Sequence, residues 1–192
     1  MDTGAPHVME QMIDSAIDSG EDGQSGSGAD SEPPEPGSSV VEVAILDAGT
    51  GIASDDLAWI RDRLAEAVDH LEPVNPGCVR ITARIVDDRE MDVAHRRFSG
   101  VAGPTDVLTF VESGERGLEV DLLLCRDEAL RRASEFDHAV RRELLLYALH
   151  GVLHAQGYDD QTPEDHSRMH AEEDRILELI GVGRTFDRGG DA

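Results

Sequence analysis

Two histidines, His150 and His154, stand four residues apart in the segment HGVLHAQGYDD, residues 150–160. On a helix, four residues return a side chain to the same face one turn along, so both imidazoles can reach one metal ion. Gly157 lets the chain leave that helix and turn back. Asp160 can then bring an oxygen to the same ion. Three protein ligands with one coordination position left open is the arrangement a catalytic zinc needs. Such an ion lowers the pKa of a bound water and polarises a phosphoryl oxygen. The plainer reading of the pair is two packed, hydrogen-bonded helix histidines.

The ligand order H-x3-H-x2-G-x2-D has the spacing of metzincin zinc proteases, with one difference. Those enzymes carry a general-base glutamate directly after the first histidine. Here that position is Gly151, so a peptidase would lack its proton carrier. His166 is a rival third ligand, with His170 one turn further on. Beside Glu172, Glu173 and Asp174, that pair reads instead as a solvated helix face. Glu143 lies two turns before His150 and either orients a ligand imidazole or pairs with Arg142 or Arg89.

The elements that must position these residues follow from pattern. Val40–Asp47 alternates aliphatic positions as a strand does. Ser54 is an N-cap for a helix over 55–71, with Leu57, Ile60, Leu64 and Val68 at helical spacing. Cys78–Asp88 reads as a strand, 89–97 as a short helix and Ser99–Pro104 as a loop. Asp106–Glu112 and Leu118–Cys125 are strands around a turn, an expected hairpin. Asp127–Phe136 is a helix. Asp137 then caps a longer one to about Gln156, and Pro163 starts a last helix to Ile180. The expected fold class is α+β: a small mixed sheet of about four strands packed with helices, with the zinc site on a C-terminal helix and its following loop.

Charge is unevenly spread. The 192 residues carry 41 acids against 17 cations, all arginine, for a net charge of −24. Residues 1–39 hold nine acids and no arginine, and Gly20–Ser39 combines Gly, Ser, Pro and acids with no aliphatic larger than alanine. That stretch buries too little apolar area to offset chain entropy, so an acidic disordered tail is expected over 1–39. Within it, Val8, Met12, Ala16 and Ile17 fall near a helical period. The domain is expected over 40–182, followed by a flexible tail over 183–192. Residues 78–142 carry thirteen acids and eleven arginines, near balance. A local basic patch can exist there although the total argues against a broad nucleic-acid surface or membrane docking. Two cysteines, Cys78 and Cys125, make no disulfide framework and fit a reducing cytoplasm. No signal peptide or membrane span is read.

Two separated segments resemble the YbeY family of bacterial ribosomal-RNA maturation endoribonucleases. The family pattern HGxLHLxGYDH appears as His150-Gly151-Val152-Leu153-His154 followed by Gly157-Tyr158-Asp159. The family segment PTDVLSF appears as Pro104-Thr105-Asp106-Val107-Leu108-Thr109-Phe110. Their order and separation also fit, over about residues 40–182. The resemblance implies a zinc ion, one per chain, held by the motif. It also implies hydrolysis of single-stranded RNA, in 16S rRNA 3′-end maturation on the small ribosomal subunit and in ribosome quality control, with no DNA or membrane partner. The metal set carried over is His150, His154 and Asp160.

This chain departs from the pattern at three places. The third histidine is Asp160, a competent but charged ligand. The family's arginine in Asn-x3-Arg-Gly falls on Ser99, with the asparagine on His95. Val120-Asp121-Leu122 keeps only the acid of a Gly-Asp-Ile strand. Arg96 or Arg97 could substitute as the phosphate contact, with the pairs Arg131/Arg132 and Arg141/Arg142, although their plainer reading is solvated surface charge. No general base stands out; Thr105 and Asp106 could line the cleft. The alternatives are a non-catalytic ribosome-maturation factor with a structural metal and, behind it, a metzincin-like peptidase.

Overall fold

The computed structural model describes residues 41–71, 79–114 and 117–185. The expected tail over 1–39 with its N-terminal helical period, Cys78, and the end of the chain from 186 lie outside them. Within the described residues, nine elements run in the order β1 (Val41–Asp47), α1 (Ser54–Asp69), β2 (Val79–Val86), α2 (Asp88–Ser99), β3 (Val107–Gly114), β4 (Gly117–Cys125), α3 (Arg126–Glu135), α4 (Val140–Ala155) and α5 (Pro163–Leu179).

The strands form one mixed sheet in the order β1-β2-β4-β3. β1, β2 and β4 are parallel, and β3 pairs antiparallel with β4 as the expected hairpin. Period-two alternation gives the sheet two unlike faces. Ile81, Ala83 and Ile85 of β2 and Val120, Leu122 and Leu124 of β4 face the main core, packed with Ile60 and Leu64 of α1 and Leu144 to Leu149 of α4. The opposite face carries a second, smaller cluster: Val86, Met91 of α2 and Cys125, with Leu108 and Leu123 against them. The architecture is the α+β arrangement expected from the pattern.

α4 is the central helix. From Glu143 to Leu149 and from Gly151 to Leu153 every residue is buried, because sheet and helices enclose it on several sides. Each large aliphatic side chain there contributes roughly 1.5–3 kcal/mol of burial. Gly151 is where α4 meets the sheet most closely. A Cβ at that position would lie 2.6 Å from Leu122 Cδ2 and 2.7 Å from Thr109 Oγ1. Glycine thus allows this close approach of helix to strand, and any side chain there would have to displace Leu122 and Thr109.

Three local expectations are corrected. Asp137 does not cap α4. It sits in the α3–α4 turn at φ 53°, and the helix starts after Ala139, which makes no side-chain cap. An aspartate tolerates that left-handed conformation, so it serves the turn instead of the cap. α1 begins at Ser54 itself, with Ala53 in the cap position. Glu173 and Asp174 do not belong to a solvated face: both are buried, at 1% and 5% exposure. Of the expected C-terminal tail, residues 183–185 are described: Arg142 donates to the Gly183 and Arg184 carbonyls, and Thr185 N–H to Asp174 at 2.6 Å.

Candidate metal centre

The last two turns of α4 and the loop after it bring His150, His154 and Asp160 together. Gly157, at φ 91°, makes the turn that returns the chain, in the left-handed conformation glycine adopts without cost. Nε2 of His154 lies 3.0 Å from Nε2 of His150. Asp160 Oδ2 lies 3.7 Å from Nε2 of His150 and 3.8 Å from Nε2 of His154. One ligand atom from each of the three lies within 4.8 Å of the others, the only such three-residue group among the described residues.

The other ring nitrogens explain why the Nε2 atoms face each other. His154 Nδ1 is 2.9 Å from the Tyr158 carbonyl, which can only accept, so Nδ1 carries the proton and Nε2 a lone pair. His150 Nδ1 is 2.7 Å from Glu173 Oε1, a carboxylate that accepts from the ring in the same way. With one Nε2 protonated the two rings can hydrogen-bond at this distance, and with both unprotonated their lone pairs converge on a point where a cation can sit. Tetrahedral zinc with ligands at about 2.0–2.1 Å sets its ligand atoms roughly 3.3 Å apart, close to the spacing here. The donor set of two imidazoles and a carboxylate fits zinc.

The electrostatics are those of a part-buried acidic pocket. Burial works against a charged His150 ring, but the Glu173 hydrogen bond and charge, with Asp106 and Asp160, outweigh it, and the pKa stands above the ordinary histidine value. Burial raises the Glu173 carboxyl, with the His150 bond opposing it. Further along α5, the His166 and His170 rings are 3.9 Å apart. Burial, then His166 and His150, hold His170 below the ordinary value.

The imidazole-orienting acid is therefore Glu173, which its acidic neighbours in sequence had assigned to solvent. Its signal was available: Met169, Glu173, Ile176 and Ile180 follow helical spacing, which places one carboxylate inside the apolar stripe of α5. Glu143 pairs elsewhere, with Oε1 2.8 Å from His138 Nε2. The arginine pairs are also largely committed. Arg96 is bound to Asp92, Arg131 to Asp88 and Glu128, Arg132 to Glu128 and Glu135, and Arg141 to Asp56. Arg97 has no ion pair among the described residues and lies over the Phe98 ring, 5.2 Å from its centroid. Ser99 ends α2, exposed. Thr105 bonds Asp106 Oδ1 at 2.9 Å, the strand-entry role.

A mixed sheet, a buried central helix and a His-His-Asp cluster on one ion-sized point define a small α+β protein with a metal-binding centre. The sequence model of the family described as Endoribonuclease YbeY matches residues 47–181. A relative named Endoribonuclease YbeY from Chloroflexus aggregans is 35% identical over 147 residues, covering 69% of this chain and 95% of its own length. One of the same name from Chloroflexus aurantiacus is 34% identical, covering 70% and 92%. Another from Symbiobacterium thermophilum is 34% identical over 133 residues, covering 64% and 85%. The chain belongs to the YbeY endoribonuclease family and is an RNA-cleaving hydrolase.

Proposed function

We propose that this chain is a zinc-dependent endoribonuclease that cuts single-stranded RNA in the cytoplasm, acting in 16S rRNA 3′-end maturation and ribosome quality control on the small subunit. One ion is held per chain by His150, His154 and Asp160. The observation that carries the reading is the facing Nε2 pair, 3.0 Å apart, with each Nδ1 tied off by its own acceptor. Family membership supplies RNA as the substrate class.

Zinc in such a site supplies Lewis acidity toward a phosphoryl oxygen and a lowered pKa for a bound water. The chain's own residues do the rest. Glu173 keeps His150 in the tautomer that presents Nε2, and the Tyr158 carbonyl does the same for His154. Asp160 is the most open of the three, its side chain 39% exposed, so the centre is approached from the loop side. Gly151 keeps α4 close on the sheet and supplies no carboxylate where a peptidase of that spacing would carry its base, which argues against the peptidase alternative. A single strand suits the approach, since a duplex would sweep more phosphate past an acidic surface.

The test is to purify the chain, quantify bound zinc and assay cleavage of single-stranded RNA with and without His154→Ala. The variant is expected to lose zinc and to lose cleavage by about a hundredfold or more. Undiminished cleavage would identify a contaminating nuclease and sink the reading. Asp160→Ala is expected to lower zinc content more than His166→Ala does; the opposite order would move the third ligand onto α5.

A further inference from the structure

α5 carries a second pair of histidines one turn apart. His166, His170 and Glu173 stand at i, i+4 and i+7, so they share one face of that helix. The face turns toward the metal centre, since Glu173 Oε1 lies 2.7 Å from His150 Nδ1. It emerges from the interior toward the N-terminal end of α5: Leu177 and Glu173 are buried, His170 is half-buried and His166 is exposed. The emerging end adjoins the loop that carries Asp160, because Thr162, two residues after it, caps α5. The His166 and His170 rings meet edge to face with centroids 3.9 Å apart, as His150 and His154 meet at 4.5 Å. The two pairs are built alike.

The surroundings favour a cation. Asp174 and Asp160 act on His170 by their charge, and Glu173 and His166 act on each other. The His166 side chain makes no hydrogen bond or ion pair among the described residues. Burial, then the neighbouring imidazoles, keep His170 from charging, and a neutral ring is the form that a metal takes.

We propose that His166 and His170 clamp a second divalent transition-metal ion, separate from the ion of the centre, whose open coordination positions take a phosphate of the RNA. The clamp needs only the pair; its role toward phosphate rests on the endoribonuclease reading. Two imidazoles suit zinc, nickel or copper, whereas magnesium and calcium prefer oxygen ligands. No third His, Cys, Asp or Glu joins this pair among the described residues, so water fills the remaining positions. The ion is therefore held less tightly than one with three protein ligands, and its waters exchange for phosphoryl oxygens. Such an ion supplies positive charge that the arginines do not. Arg96, Arg131, Arg132 and Arg141 are bound to internal acids. The clamp lies one helix turn from the carboxylate that supports His150, so a phosphate held there is a neighbour of the one at the centre.

The experiment titrates zinc by calorimetry into the full chain already holding one equivalent, and follows cleavage of a single-stranded RNA over the same range. A second equivalent is expected, weaker than the first and removed by gel filtration. His166→Ala, at an exposed position, should abolish the second equivalent and keep the first, as should His166→Ala/His170→Ala. Asp160→Ala should weaken the first and keep the second. In the wild type the second equivalent should lower KM for the RNA about tenfold with kcat unchanged, an effect absent from His166→Ala. A single equivalent in the wild type, or a second one that survives both histidine variants, overturns the clamp. Loss of the first equivalent in His166→Ala would put that ring in the centre and also overturns it. A second equivalent that leaves KM unmoved overturns the phosphate role. Each of these results leaves the endoribonuclease reading standing if the singly loaded chain cleaves RNA. A chain that cleaves at neither loading brings down that reading and the phosphate role together, while the calorimetry still decides the clamp.

Discussion

The metal centre and the outer face of α2 are built in opposite ways. At the centre, every ring nitrogen not facing the ion position is already bound: His150 to Glu173, His154 to Tyr158. On α2, Arg89 and Arg97 are held by no acid among the described residues. The difference follows from what each must do. A metal ligand gains from being fixed in one tautomer and one orientation before the ion arrives. A cation that faces solvent needs no such fixing, since water solvates it without a partner. The centre is thus pre-ordered through buried contacts, and the α2 face is kept open through the absence of them.

The sharpest way to break the contrast is at Glu173. Glu173→Gln keeps the volume but removes the carboxylate charge that faces His150, and zinc affinity is expected to fall about 10–100-fold with far-UV circular dichroism unchanged. Metal titration against a chelator of known affinity checks this; an unchanged zinc affinity would mean that the centre does not depend on its buried support. Next in size is Gly151→Ala. The added Cβ would press on Leu122 and Thr109, and overpacking of this kind costs about 1–3 kcal/mol. The melting temperature is expected to fall by roughly 2–4 °C for each kcal/mol. An unchanged melt would show that α4 can slide on the sheet, so that the histidines are not held by its seating.

The smallest effect lies at an arginine that is committed, in contrast to Arg89. Hydrogen bonding from Arg131, ahead of opposing burial, holds the Asp88 carboxyl below its ordinary value. A depressed folded-state pKa adds stability that is present above the unfolded value and is lost as pH falls through the folded one. Arg131→Ala should therefore destabilise the chain slightly at neutral pH and move acid unfolding to higher pH. The pair is substantially exposed, so the shift is small. Acid titration monitored by circular dichroism checks it, and an unchanged midpoint would mean the pair contributes nothing. Arg89→Ala, by comparison, should leave the acid midpoint in place.

Much of the site was legible because its logic is local. His150, His154 and Gly157 follow from helical period and a turn, and Asp160 from the length of the loop. The strand alternation in β2 and β4 reports two faces for the same reason. Glu173 was missed because charge was weighed over position: beside Glu172 and Asp174 it reads as solvated, although the apolar spacing of Met169, Ile176 and Ile180 encloses it. Asp137 was misassigned because a residue type that caps helices also tolerates a left-handed turn. Residues 78–142 hold eleven arginines that could have formed a basic patch, and among the described residues ion pairing largely cancels it.

Sequence by itself determined which residues are able to ligate an ion and that they share one helix face, since i to i+4 geometry needs no partner. It also placed cations in the middle of an acidic chain. Only the tertiary structure decided that α5 brings a carboxylate to His150 across 23 residues, that Gly151 lets α4 sit close on the sheet, and that the cations left unpaired lie together on α2. Those are distances between segments far apart in the chain, and no local period encodes them.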